Sequence, residues 1–137
     1  MSASALGCIS LAIFLSVRVV FAGEKSSYPN PSNYRDFNYH ALIIGVDIEP
    51  VNGSGSTCHV PFASQLASLL KGWRCFSKGG ITVLKGSDAT RQRIEEAIAD
   101  FHLGLKDVLI IYYGGHGDSG GIVTSDQQYF SPAELSI

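Results

Sequence analysis

The chain has 137 residues, 45% of them apolar and 16% charged, with a formal net charge of −2. That length accommodates one domain, which would bury roughly two-thirds of its unfolded surface. The near-neutral charge excludes a basic nucleic-acid footprint, so no nucleic-acid partner is expected, and the apolar fraction excludes a mainly disordered chain.

In chain order, Ala3 to Val17 is uncharged and mostly apolar, followed by Arg18 and Val-Val-Phe-Ala22. Val20 and Ala22 are small enough to precede a signal-peptidase cut before Gly23. This predicts a signal peptide over residues 1–22 and export to a secreted, periplasmic or extracellular location. Membrane contact is expected only if that segment stays uncleaved, and Arg18 interrupts the run of about 20 apolar residues that a span requires. Residues 23–38, rich in Pro, Asn and Ser, read as a linker. Export makes Cys58 and Cys75 candidates for a disulfide. The segment between them reads as a helix of about 12 residues, roughly 18 Å long, so two independent thiols are the simpler reading. Asn52-Gly53-Ser54 fits a glycosylation sequon.

Tyr39-His-Ala-Leu-Ile-Ile-Gly-Val46 is a nearly continuous apolar run, the pattern of a strand covered on both faces. Glu49 to Thr57 is a loop by composition. Phe62, Leu66, Leu69, Leu70 and Trp73 recur at helical spacing and predict a buried stripe, with Pro61 in the first turn. Ile81-Thr-Val-Leu84 is a second strand. Ser87, Asp88 or Thr90 can cap the next helix, whose apolar face is Ile94, Ala97, Ile98 and Phe101, with Arg91, Arg93, Glu95 and Glu96 toward solvent. Asp107 to Tyr113 is a third strand. The order β-α-β-α-β predicts right-handed crossovers and a three-layer α/β/α domain with a mainly parallel sheet. Gly120 to Thr124 reads as a short extended arm. Ser131-Pro-Ala-Glu134 is a capping box that starts a further helix, with Leu135 and Ile137 opening its apolar face.

The chemistry-bearing candidates follow the third strand. Gly114 to Gly121 holds five glycines in eight positions, at a strand carboxyl end, where open parallel sheets place ligands. Gly115-His-Gly117-Asp-Ser-Gly120 matches G-x-G-x-x-G literally, but no helix pattern begins after Gly120 and no ribose-binding acid follows, so it is not a dinucleotide fingerprint.

From Tyr39 to Leu135 the chain resembles the amino-terminal part of the caspase and metacaspase-like cysteine peptidases. The matching blocks are Ala41-Leu-Ile-Ile-Gly-Val46, Gln65-Leu-Ala-Ser-Leu-Leu70, Asp88-Ala-Thr-Arg-Gln-Arg-Ile94 and Asp107-Val-Leu-Ile-Ile-Tyr-Tyr-Gly-Gly-His-Gly117. The resemblance implies a caspase-like domain over residues 39–137 and a cysteine endopeptidase activity. It makes His116 the catalytic histidine and gives the backbone N–H of Gly117 to the oxyanion hole. Those residue types fit the chemistry. An imidazole can shuttle a proton between thiol and leaving amine, and a glycine-rich backbone can approach a scissile carbonyl closely.

Two departures stand against the pattern. Where relatives carry Asn-Asp-Ala ahead of the first helix, this chain has Cys58-His-Val-Pro-Phe-Ala63. The nucleophilic cysteine of caspases lies about 50 residues beyond the histidine, on the next strand, past Ile137. The expectation is therefore a domain cut before its cysteine-bearing strand and inactive as it stands, with an exposed strand edge. Cys75 precedes the second strand, at the far end of the sheet from His116. Cys58 follows the first strand, at the same end as His116, and is the one substitute nucleophile the sequence offers. The alternatives are a non-catalytic caspase-fold binding module and a fragment of a legumain-like peptidase, which also places His-Gly after a strand.

The remaining candidates read as structural. His59 and His102 have no ligand-spaced partners, and His116 with Asp118 is too little for a metal, so neither metal nor cofactor is expected. His40 reads as a satisfied imidazole, Asp126 as a turn residue, and one of Tyr112 and Tyr113 as core. The expected partners are a peptide or protein substrate, or a chain that completes the sheet.

Overall fold

The strand-forming runs of the sequence assemble into one sheet with helices on both faces. A computed structural model describes residues 13–16, 37–47, 58–76, 80–104, 106–118, 121–131 and 134. The elements are β1 (Ile13–Ser16), β2 (Asn38–Gly45), α1 (His59–Lys71), β3 (Ile81–Lys85), α2 (Arg91–Ala99), β4 (Asp107–Gly114), β5 (Gly117–Asp118), β6 (Gly121–Val123) and β7 (Tyr129–Phe130). The main sheet has the order β1-β4-β2-β3, with β2 parallel to both β3 and β4 and β1 antiparallel to β4. The three predicted parallel strands are present, each with ends shifted by no more than one residue. The strand Ile13–Ser16, pairing with Ile110–Tyr113, falls inside residues 1–22, which the sequence reading assigns to a signal peptide and not to the sheet. The cut before Gly23, the linker up to residue 36, the loop from 48 to 57 with its sequon, and Leu135 to Ile137 lie outside the described residues. No helix among the described residues is long and apolar enough to cross a membrane.

The sheet splits the core in two. Leu42, Ile44, Val46, Leu84, Leu109, Ile111 and Tyr113 face α2, which contributes Ile94 and the partly buried Ala97, Ile98 and Phe101. Ala41, Ile43 and Tyr112 face α1, which contributes Ala63, Ala67 and Leu70. This is the period-two alternation of a strand buried on both sides. Ala41, Leu42, Ile43 and Ile44 have no exposed surface. Each such Leu or Ile contributes about 1.5–3 kcal/mol relative to its exposed state.

Helix α1 departs from the predicted stripe. Its buried residues are His59, Ala63, Ala67 and Leu70, whereas Phe62, Leu69 and Trp73 are 49%, 57% and 51% exposed. The reason is close approach. A Cβ at Gly45 would stand 2.8 Å from both the Ala63 Cβ and the His59 carbonyl oxygen. Small residues must therefore face β2, and the bulky ones are turned to the flank, where Phe62 meets the Tyr112 ring at 5.6 Å.

Both helices borrow their amino-terminal partners from elsewhere. The Asp47 carboxylate, just past β2, accepts from the N–H groups of His59 (2.8 Å) and Val60 (3.2 Å). Pro61 has no N–H to satisfy, so the first turn is complete, and the negative charge suits the helix dipole. Thr90 caps α2 by accepting from the Arg93 N–H at 3.3 Å. Asp126 accepts from the Arg91 N–H at 3.1 Å, so this turn residue also serves α2.

The extended arm at Gly121 becomes the centre of a small antiparallel sheet, β5-β6-β7. Its Ile122 and Phe130 join the α2-side core. The carboxylate arm of the capping box forms, with the Ser131 N–H donating to Glu134 at 2.8 Å, while the Glu134 N–H donates to the Ser131 backbone carbonyl at 3.0 Å and not to its hydroxyl. Arg91, expected on the solvent side, instead reaches Glu95, Glu134 and the Tyr129 carbonyl, and lies 5.4 Å from the Phe130 ring centre.

Candidate active site

Strand β4 ends in Tyr112-Tyr113-Gly114, and the chain then turns through Gly115 and His116 into β5. Both tyrosines are buried, on opposite faces. The Tyr113 hydroxyl lies 2.7 Å from both the His116 and the Val123 carbonyl oxygens, sharing one proton between them. The Val123 N–H also donates to the His116 carbonyl at 2.9 Å. The His116 backbone is thus held from two directions while its side chain stays exposed. A Cβ at Gly115 would collide with the Tyr113 hydroxyl, which explains a glycine directly before the histidine. Burial pushes the Tyr113 phenol up to about 12, against a smaller opposing effect of the Val123 backbone.

The pairing of β5 sets the direction of the Gly117 amide. His116 and Val123 form a hydrogen-bonded pair, and Gly117 lies opposite Ile122 in the next register position. In an antiparallel ladder such positions alternate, so the Gly117 N–H points away from β6, on the outer side of β5.

Helix α1 brings a second imidazole to the site. His59 is 5% exposed, and its ring packs edge-on to His116, with centroids 6.3 Å apart and planes at 80°. Its Nδ1 would lie 3.4 Å from a Cβ at Gly114, so the absent side chain leaves room for the ring. Cys58, the residue before it, is exposed at the start of α1. The Tyr112 phenol is pushed up, first by burial and then by the neighbouring Cys58 thiol. Cys58, His59, Tyr112 and His116 therefore gather at the carboxyl ends of β2 and β4.

Cys75 packs with Tyr39, Phe76 and Ile81 at the opposite end of the sheet, and both cysteines are free thiols. The two independent thiols of the simpler reading are what the structure contains. His40 is satisfied, its Nδ1 accepting from the Gly80 N–H at 3.3 Å and its Nε2 lying 3.7 Å from Asp107. His102 is exposed and away from the cluster. Among the described residues no three His, Cys, Asp or Glu side chains converge as a metal would require. Sequence reasoning missed His59 and Asp47, because neither falls in a recognisable spacing; the loop between them lies outside the described residues.

A histidine on a glycine-rich turn at the end of a parallel strand, in a three-layer domain, is the setting in which the family comparison weighs most. Residues 40–135 match the caspase domain of peptidase family C14. The chain belongs to that family. No curated protein and no solved structure matches the chain. The matched span of this caspase domain runs from His40 in β2 to Leu135 and includes every element from β2 to β7.

Proposed function

We propose that this caspase domain carries the acid–base half of a cysteine endopeptidase centre, with His116 as the general acid and base and the Gly117 N–H as an oxyanion donor. The observation that carries the reading is the exposed His116 imidazole on a turn whose backbone is held by Tyr113 and Val123. In the reaction a thiol loses its proton to the imidazole and its sulfur bonds to the scissile carbonyl carbon. The carbonyl oxygen becomes an oxyanion facing the amide N–H. The C–N bond then breaks as the imidazolium protonates the amine, and water, activated by the same imidazole, hydrolyses the thioester.

The thiol is expected about 50 residues beyond the histidine, which these 137 residues do not reach. The chain by itself is accordingly expected to turn over no peptide, and to act with a substrate peptide or a sheet-completing chain once the thiol is supplied. An exported setting is part of the same proposal, supported by the uncharged, mostly apolar run from Ala3 to Val17. One observation favours a second reading. Cys58 starts the helix whose His59 ring touches His116, so a Cys58–His116 pair is the alternative dyad.

Two measurements decide between them. The purified chain, offered a panel of fluorogenic peptides, should show no hydrolysis above buffer. Turnover abolished by both His116→Ala and Cys58→Ala would establish the second reading. The transcript beyond codon 137 should encode an Asp-x-Cys or Gln-Ala-Cys strand, in frame or shifted. A chain extended through that strand should lose peptidase activity on His116→Ala; activity that survives the change would overturn the role of His116.

A further inference from the structure

The edge strand β3 is separated by β2 from the strand that leads to His116, and it carries a feature that the peptidase reading does not use. Among the described residues β3 pairs with β2 alone. The Ala41 N–H donates to the Gly80 carbonyl at 2.9 Å, and the Gly80 N–H turns the same way, toward His40. In a parallel ladder alternate residues share a direction, so residues 80, 82 and 84 face β2 and the backbone groups of Ile81, Val83 and Lys85 face outward. No proline or bulge interrupts this edge, the usual devices that blunt one.

Alongside the strand runs a cleft of about 380 Å³, lined by Thr82 and Leu84 of β3, by Arg93, Glu96, Ala97 and Asp100 along α2, and by Phe101. A strand beside a helix, with a cleft between them, is the geometry in which extended peptides are bound by strand addition. The backbone provides the hydrogen bonds, and every second side chain of the peptide falls into the cleft. The cleft's charge selects the side chain. Arg93, at its border, leans toward Asp88 at 4.0 Å. Glu96 accepts only from the neutral Gln92 amide at 2.8 Å. Neither Glu96 nor Asp100 has an ion-pair partner among the described residues.

We infer that the outer edge of β3 and the cleft against α2 form a docking site for an extended peptide segment of a partner protein, with a lysine or arginine side chain in the cleft. The volume exceeds that of one such side chain, and the two carboxylates meet its charge at the rim. The occupant pairs with Ile81, Val83 and Lys85 and extends the sheet on the side away from β4.

The probe is a fluorescein-labelled heptapeptide of alternating Val and Thr with one central Lys, titrated with the purified chain and read by anisotropy. It should bind saturably and perturb the amide resonances of Ile81 to Lys85. Replacing the central Lys by norleucine should weaken binding at least tenfold, and Glu96→Gln with Asp100→Asn should remove that preference. N-methylation of alternate peptide amides should abolish binding without touching the protein. Val83→Pro should do the same from the protein side, since proline is tolerated where an edge N–H faces outward. Equal affinity for Lys and norleucine, indifference to N-methylation, or no binding at all would each overturn the proposal. So would concentration-dependent dimerisation that Val83→Pro suppresses, which would assign the edge to a second copy of the chain. None of these readouts depends on peptidase activity, so failure here leaves the role of His116 unaffected, and the converse holds.

Discussion

Tyr113 shows how one side chain can organise a candidate catalytic turn without entering the chemistry. Its hydroxyl joins the carbonyls of His116 and Val123, linking the turn after β4 to β6. Tyr113→Phe leaves the ring in the core and removes the bridge, so the fold should lose about 1 kcal/mol, read as a lower urea midpoint. The phenol also predicts an alkaline transition. Its folded value of about 12 lies above the ordinary tyrosine value of 10.0. The neutral form is favoured in the fold, so the contribution is complete below pH 10 and is lost as pH rises through about 12. Wild type should therefore lose stability above pH 10, and Tyr113→Phe should flatten that limb of the curve. The sequence marks one of the paired tyrosines as core, yet both are buried. Only the turn that follows β4 explains why a phenol, with its one proton, is needed on the α2 side.

At the level of elements, two contacts decide how the helices sit. Helix α1 packs so near β2 that Gly45 has no room for a side chain. Gly45→Ala should push the helix away and cost about 1–3 kcal/mol, with a matching fall in Tm. The same crowding explains why Ala63 and Ala67 are buried while Phe62, Leu69 and Trp73 are exposed. Helical spacing shows that a stripe exists, but it cannot show that the neighbouring strand presents a glycine. On the other face, the Glu134 carboxyl is held down to about 2, first by the Ser131 backbone N–H and then by Arg91. The ordinary glutamate value is 4.5, so its contribution is complete above that pH and fades as pH falls toward 2. Both partners are solvent-facing, which screens the interaction. Glu134→Gln should remove this part of the acid dependence, visible as a shallower loss of Tm between pH 4.5 and pH 2. The capping box is legible in the sequence because hydroxyl, proline and carboxylate stand at fixed offsets. Its link to Arg91, 43 positions away in the chain, is not.

For the whole molecule, the arrangement of layers leaves two surfaces with contrasting character. The flank of α1 presents Phe62, Leu69 and Trp73, and the opposite helix borders the charged cleft beside β3. Trp73 is the lone tryptophan of the chain, which makes the first surface easy to monitor. Its fluorescence should have a solvent-like maximum and be quenched readily by acrylamide; a blue-shifted, protected indole would contradict the exposed flank. The sheet order β1-β4-β2-β3 also places the strand bearing the catalytic candidate between two neighbours, one of them Ile13–Ser16. Among the described residues β3 has a neighbour on one side alone, and four residues of β4 pair with Ile13–Ser16.

Length and charge by themselves set the expectation of one domain without a basic nucleic-acid footprint. Apolar runs and helical spacing then determined three parallel strands, two helices and the glycine-rich turn with His116, since those patterns follow from backbone periodicity alone. Tertiary structure decided the rest, because it depends on which backbones come close together. It brought the His59 ring against His116, turned the large residues of α1 outward, and assigned the caps of both helices partly to distant carboxylates. The 137 residues that first bounded the domain now account for its sheet, its two cores and an exposed histidine turn.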